Sequence, residues 1–145
     1  MTAQNIKYLL MCARQKLADS PSAGIDSEVL LAHVLDTGRS FLYANPELEL
    51  PRQRVMAFKR LIKRRAQGEP VAYLTGCCEF WSLPLEVNQA VLIPRPETEL
   101  LVETALQKIP SGAGWRIADL GTGSGAVALA LASERRRCNI HATEI

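Results

Sequence analysis

Residues 118–125, Ala-Asp-Leu-Gly-Thr-Gly-Ser-Gly, are the most informative segment of this sequence for its architecture. Residues 115–120 are predicted to form a β-strand, residues 124 to about 135 a helix, and residues 139–143 a second strand. A glycine-rich turn is informative when it follows a strand and opens a helix, as it does here. The segment therefore predicts one β-α-β unit with a ligand site at its glycine turn.

The glycine turn carries the candidate chemistry. Glycines permit a sharp turn with positive φ and let a ligand approach the backbone more closely than a Cβ atom would allow. Asp119 ends the first strand, at the sheet edge where open α/β sheets bind ligands, and is expected to accept hydrogen bonds from loop amides or a cofactor ammonium. Glu144 ends the next strand, where an acidic side chain can accept both hydroxyls of an adenosine ribose. The candidate cofactor-binding residues are Asp119, Gly121, Thr122, Gly123, Ser124, Gly125 and Glu144.

Two nucleoside cofactors fit this spacing. Gly121, Gly123 and Ala126 satisfy the dinucleotide fingerprint, whose last glycine is replaceable by alanine, so the spacing alone leaves NAD open. The pattern Asp-x-Gly-x-Gly-x-Gly resembles the first motif of class I methyltransferases more closely, and this favours S-adenosylmethionine. The amides after Gly121 and Gly123 are expected to face the methionine carboxylate of that cofactor.

The first 70 residues have the three-and-four apolar spacing of helices and predict a small helical bundle. Thr2 is available to cap the first helix, Asp26 or Ser27 the second, and the second helix should end near Gly38. Further helices are predicted over 40–45 and from Pro51 to Gly68. A hairpin is predicted around Pro84, and a helix over 97–108. The predicted inward-facing residues of the Pro51 helix are Val55, Phe58, Leu61 and Ile62.

Four further sequence strings occur in a characteristic order: residues 68–76 (Gly-Glu-Pro-Val-Ala-Tyr-Leu-Thr-Gly), 79–81 (Glu-Phe-Trp), 92–99 (Leu-Ile-Pro-Arg-Pro-Glu-Thr-Glu) and the glycine segment 119–125. In this order they resemble the PrmC/HemK family of protein-(glutamine-N5) methyltransferases, over essentially the whole chain. The resemblance implies an α/β chain in three parts. Residues 1–75 form a helical release-factor-binding domain, residues 76–93 form a β-hairpin connector, and residues 94–145 form the incomplete start of a class I (Rossmann-like) methyltransferase domain.

The resemblance also implies a reaction, the transfer of a methyl group from S-adenosylmethionine to the amide of the glutamine in the Gly-Gly-Gln motif of peptide chain release factors. The family's catalytic Asn-Pro-Pro-Tyr motif lies after a later strand, and Asn45-Pro46 continues here with Glu47. No catalytic residue is therefore assigned, and this chain alone is predicted to have no turnover. Two alternatives stay open: a fragment of an adenine-N6 DNA methyltransferase, and a non-catalytic module that binds a partner.

Composition limits the other classes. A mean hydropathy of +0.01 fits a soluble globular protein without a membrane segment, and a formal net charge of +2 is too small to imply direct nucleic-acid binding. The protein is also expected to be cytoplasmic and monomeric. The four cysteines show no C-x-x-C spacing, so buried, reduced thiols and no metal are expected. Basic residues without an acidic neighbour in sequence are concentrated in one segment, where a partner surface and a solvated helix face are both possible. They are Arg52, Arg54, Lys59, Arg60, Lys63, Arg64 and Arg65.

Overall fold

The computed structural model describes residues 4–144 and divides the chain into two compact units, Met1–Thr75 and Gly76–Ile145. The first unit is helical, and the second contains two small sheets with helices. This confirms the predicted mixed α/β chain in which helices precede the sheets. Thr2, the predicted cap of the first helix, lies outside the described residues.

The first unit packs its helices around one apolar cluster. The predicted inward positions of the fourth helix, Val55, Phe58, Leu61 and Ile62, are all buried in it. Ile6, Leu9, Ala13 and Leu17 are buried on the first helix, as their three-and-four spacing predicts. The helices are α1 (Ile6–Lys16), α2 (Ala23–Leu35), α3 (Arg39–Ala44), α4 (Arg52–Ala66) and α5 (Val71–Thr75).

The helix caps differ from those predicted. Asn5 caps α1, accepting a hydrogen bond on its side chain from the Tyr8 amide at 2.9 Å. Helix α2 begins at Ala23, before both predicted caps, so Asp26 and Ser27 lie inside the helix and are buried. The Ser27 hydroxyl donates to the Ala23 carbonyl at 2.6 Å, a local bond available only within a helical turn. The prediction failed because both side chains form hydrogen bonds inside the unit, Ser27 with Ala23 and Asp26 with Arg65, that a one-dimensional pattern does not reveal.

A buried carboxylate links three helices of the first unit. Glu28 on α2 is 4% exposed and accepts hydrogen bonds from Arg14 at 2.8 Å and from Arg39 at 2.6 Å. Burial opposes ionisation of Glu28, but hydrogen bonds from Tyr43, Arg39 and Arg14 outweigh it and lower its pKa. The carboxylate is therefore held ionised by partners from α1 and α3.

The second unit opens with an antiparallel hairpin, β1 (Cys77–Phe80) and β2 (Leu83–Glu86). This is the hairpin predicted around Pro84, and its turn is Trp81-Ser82, with φ of 52° and 57°. Two left-handed residues match the twist of a two-residue hairpin, and the Trp81 amide is also held by Glu99 Oε1 at 2.9 Å. Pro84 pairs with Glu79 inside the ladder of this two-stranded sheet, where both strands are edges.

The predicted β-α-β unit is present. Strand β3 (Arg116–Leu120) runs parallel to β4 (Asn139–Thr143), and α7 (Ala126–Glu134) connects them. Helix α6 (Glu99–Lys108), preceded by a short 3-10 turn at Pro96–Thr98, packs on α7. The buried core of this unit contains Phe80, Leu85, Val102, Ile109, Ala126, Ala130 and Leu131.

Arg135, directly after α7, links the end of α7 to the end of α6 by hydrogen bonds. Its guanidinium donates to the carbonyls of Leu106 at 2.9 Å and Ile109 at 2.8 Å, so it satisfies acceptors at the end of α6 that have no partner within the helix.

Among residues 4–144, none of the helices combines the length and apolar character that crossing a bilayer requires.

Candidate functional site

The glycine loop, residues 121–125, lies between the end of β3 and the start of α7. Gly121, Gly123 and Gly125 adopt φ values of 74°, 57° and 80°, in the left-handed region that side chains disfavour. A Cβ atom built on Gly121 or Gly123 would meet no other atom within 4 Å. The loop therefore presents bare backbone to open space, which is the condition for close approach of a ligand.

The loop closes on the end of the neighbouring strand. The amides of Gly121 and Thr122 both donate to the Thr143 carbonyl, at 2.8 and 2.9 Å, and the Gly125 amide donates to the Thr122 carbonyl at 3.0 Å. The Thr122 amide was expected to face a ligand carboxylate. It donates instead to the carbonyl of Thr143 in β4. Thr143 was not predicted as a site residue, because it contributes a backbone carbonyl, which every residue type has. The only feature of the sequence that could have indicated it is its position directly before Glu144.

Asp119 joins the loop to the helix that follows it. Its Oδ2 accepts hydrogen bonds from the Thr122 hydroxyl at 2.7 Å and from the Ala128 amide at 3.2 Å. Ala128 is in the first turn of α7, where amides lack helical partners and the dipole favours negative charge. Asp119 therefore accepts from a loop hydroxyl rather than from a loop amide, and it also acts as a distant cap of α7.

Glu144 approaches the same loop from β4. Its Oε2 accepts a hydrogen bond from the Gly123 amide at 2.5 Å, across 21 residues of sequence. A carboxylate has acceptor sites on both oxygens, so this bond leaves capacity for further donors. The structure thus brings together Asp119, Thr122, Gly123 and Glu144, while Ser124 lies half-buried within the loop. Two carboxylates and an open glycine backbone fit a ligand that carries hydroxyl and cationic donors.

The four cysteines are unpaired, and the expectation that they are buried was wrong. Cys77 is exposed, and the other three are half-buried. Burial, followed by the proximity of Cys77, raises the pKa of the Cys78 thiol, which makes it a weak nucleophile at neutral pH. Within residues 4–144, no group of histidine, cysteine or acidic side chains is placed to hold a metal ion.

The basic residues of α4 divide into two groups. Arg65 bonds to Asp26 at 2.8 Å, Arg64 bonds to Glu69 at 2.7 Å, and Arg54 donates to the Val34 carbonyl at the end of α2. The sequence suggested that these basic residues have no partners nearby. In the structure, Arg64 and Arg65 pair with carboxylates, and Arg54 donates to a backbone carbonyl. Within the described part of the chain, the remaining four, Arg52, Lys59, Arg60 and Lys63, form no ion pair.

Comparison with known proteins adds independent evidence. Residues 9–76 match the family described as the PrmC N-terminal domain. The chain is 52% identical over 138 residues to the release factor glutamine methyltransferase of Escherichia coli K12, covering 95% of this chain and 50% of the relative. It is 51% identical to that of Salmonella typhimurium LT2, covering 97% and 50%, and 49% identical to that of Coxiella burnetii, covering 91% and 48%. The chain spans about half the length of the curated relatives it matches.

A helical unit that matches the PrmC N-terminal domain, followed by a glycine loop between a parallel strand and a helix, defines a chain of mixed α/β structure with a candidate ligand site at the loop. The chain is similar to the N-terminal half of members of the PrmC/HemK family of release factor glutamine methyltransferases. The resemblance stated from the sequence is thereby confirmed.

Proposed function

We propose that the whole protein carrying this chain transfers a methyl group from S-adenosylmethionine to the side-chain amide nitrogen of the glutamine in the Gly-Gly-Gln motif of peptide chain release factors. In this proposal the β3-α7-β4 unit is the first part of a class I, Rossmann-like sheet, and residues 1–75 form the release-factor-binding domain. The observation that supports the proposal most directly is the convergence of Asp119 and Glu144 on the glycine loop.

The residues at the loop have distinct roles in this proposal. Gly121 and Gly123 admit the cofactor to the backbone, because no protein atom occupies the space that their side chains would fill. Glu144 accepts the ribose hydroxyls while its other bond holds Gly123 in place. Asp119, engaged by Thr122 and Ala128, keeps the loop and α7 in register. Ser124 and Gly125 complete the turn into α7.

When bound, S-adenosylmethionine supplies an electrophilic methyl group on a sulfonium sulfur. The acceptor is a poor nucleophile, since the lone pair of an amide nitrogen is delocalised into the carbonyl group. Orientation of the amide for in-line attack is therefore the main catalytic requirement. The residues of this chain hold the donor side of that geometry, and we assign no catalytic residue among them.

The test uses the whole protein, a purified release factor and S-adenosylmethionine with a labelled methyl group. Mass spectrometry of the release factor should find one added methyl group on the glutamine of the Gly-Gly-Gln peptide. A release factor whose Gly-Gly-Gln glutamine is replaced by asparagine is the matched control and should stay unlabelled. Methylation of DNA adenine instead, binding of NAD in place of the methyl donor by calorimetry, or binding of release factor without any methyl transfer would each contradict the proposal.

A further inference from the structure

The outer face of α4 carries a continuous charged and apolar strip, here called the α4 stripe and defined by Arg52, Met56, Lys59, Arg60 and Lys63. Successive helical residues are rotated by about 100°, so these five positions fall within an arc of roughly 100°. The buried positions of the same helix, Val55, Phe58, Leu61 and Ile62, occupy the opposite side. The stripe therefore points away from the core of the first unit.

The stripe has two properties that an ordinary solvated helix face lacks. All of its cations are exposed and, within residues 4–144, have no ion-pair partner, and α4 contains no acidic residue that could form an i,i+4 pair with them. Like charges stand one turn apart, Lys59 with Lys63 and Arg60 with Lys63, and such pairs destabilise a helix. Among the neighbouring cations of α4, Arg64 and Arg65 pair with carboxylates, and Arg54 donates to the Val34 carbonyl. Within residues 4–144, the α4 cations that have neither kind of partner therefore lie on the outer face.

An apolar side chain lies in the middle of this charge. Met56 is 59% exposed, and it lines an open groove together with Arg52, Gln53, Ala57 and Arg60. Methionine adapts to irregular apolar partners, and arginine is enriched in protein interfaces. Met56 is flanked in this groove by Arg52 and Arg60, and Lys59 and Lys63 lie further along the same helix face. This is the arrangement of a protein interface, an apolar contact with a charged rim.

We propose that the α4 stripe docks an acidic protein surface that places an apolar side chain against Met56. A phosphate backbone fits less well, because the middle of the stripe is apolar and the stripe has no aromatic side chain on which a base could stack. The inference rests on the proposed function in one respect: the protein substrate, the release factor, is the partner used to test it.

The experiment measures binding of purified release factor to the whole protein at two salt concentrations. R52E/R60E should weaken binding by about tenfold or more, and raised salt should weaken wild-type binding while affecting this variant less. R136E/R137E changes the net charge by the same amount at two exposed arginines of the second unit and should alter binding by less than about threefold. R52K/R60K should retain most of the affinity, and M56A should weaken binding more than M11A, a half-exposed methionine of α1.

Circular dichroism of each variant establishes that it is folded before binding is compared. Failure of the wild-type protein to bind release factor, or equal binding by R52E/R60E and R136E/R137E, would overturn the docking surface. Tighter binding of a mixed-sequence RNA duplex than of release factor, lost in R52E/R60E, would overturn a protein partner in favour of nucleic acid. Methyl transfer is followed in parallel: transfer with stripe-independent binding refutes only the docking surface, whereas stripe-dependent binding without transfer refutes only the proposed function.

Discussion

Glu144 and Gly123 are joined by a hydrogen bond of 2.5 Å from the backbone amide to Oε2, although they come from different elements of the β3-α7-β4 unit. If Glu144 binds the cofactor as proposed, this carboxylate affects the ligand in two ways. It contributes its own hydrogen bonds, and it restricts the loop to one conformation before binding.

Replacement of Glu144 by alanine should weaken binding of S-adenosylmethionine by about ten- to a hundredfold, since each hydrogen bond to a charged group contributes roughly 1.5 to 3 kcal/mol. Isothermal titration calorimetry on the whole protein measures this. Glu97→Ala removes an exposed acid outside the loop and is the control, expected to bind as wild type does. Unchanged affinity of Glu144→Ala would refute the role of this residue.

Gly123→Ala should destabilise the chain by about 1 to 2 kcal/mol, because φ at this position is 57° and the added methyl group meets no other atom. The cost is therefore backbone strain rather than collision. Gly112→Ala is the matched control: its methyl group also meets no atom within 4 Å, and its φ is not in the positive region. Urea unfolding of the two variants should separate them, and equal stability would show that the loop does not need its left-handed conformation.

Asp119→Ala should lower the free energy of unfolding by about 0.5 to 2 kcal/mol, the range for the loss of a helix cap. It removes the acceptor for both the Thr122 hydroxyl and the Ala128 amide. Asp119→Asn retains an acceptor oxygen and should lose less. Chemical denaturation followed by circular dichroism provides the measurement; an alanine variant as stable as the asparagine variant would contradict the capping role.

The stability of the chain should fall in acid partly through Glu28. The pKa of Glu28 is lowered in the folded state, so its contribution is complete above the unfolded pKa of about 4.3 and is lost as pH falls through the lower folded value. Glu28→Gln should cost about 1 to 3 kcal/mol near neutral pH, because Arg14 and Arg39 lose a charged partner.

Unfolding of wild type and Glu28→Gln between pH 7 and pH 3 isolates this contribution, since the difference in stability should shrink as pH falls. Glu47→Gln, an exposed acid paired loosely with Lys7 at 3.8 Å, is the control and should differ little from wild type at any pH. A constant difference between Glu28→Gln and wild type across the pH range would contradict the assignment.

The sequence predicted what depends on periodic apolar positions. Phe58 and Ile62 were expected inside α4 and are buried there, and the parallel pairing of β3 with β4 follows from the strand-helix-strand pattern. Prediction from the sequence failed where one side chain has several possible partners. Asp26 was expected to be a helix cap, but the ion pair with Arg65, 39 residues away, holds it inside α2.

The candidate site shows the same division. Asp119, the glycines and Glu144 were identified because their residue types have few other uses at those positions. The Thr143 carbonyl and the turn at Trp81-Ser82 were not, because backbone acceptors have no signature in sequence and large side chains rarely adopt positive φ. The roles assigned to the two domains remain predictions, and the ligand roles are predictions that the experiments above address.

The closure of the loop on Thr143 has a consequence for motion. Both amide protons of Gly121 and Thr122 are shielded by one carbonyl, so neither can exchange with deuterated solvent until the tip of β4 separates from the turn. The strand end and the turn therefore behave as one cooperative opening unit, and whatever tightens the turn also slows fraying of the strand.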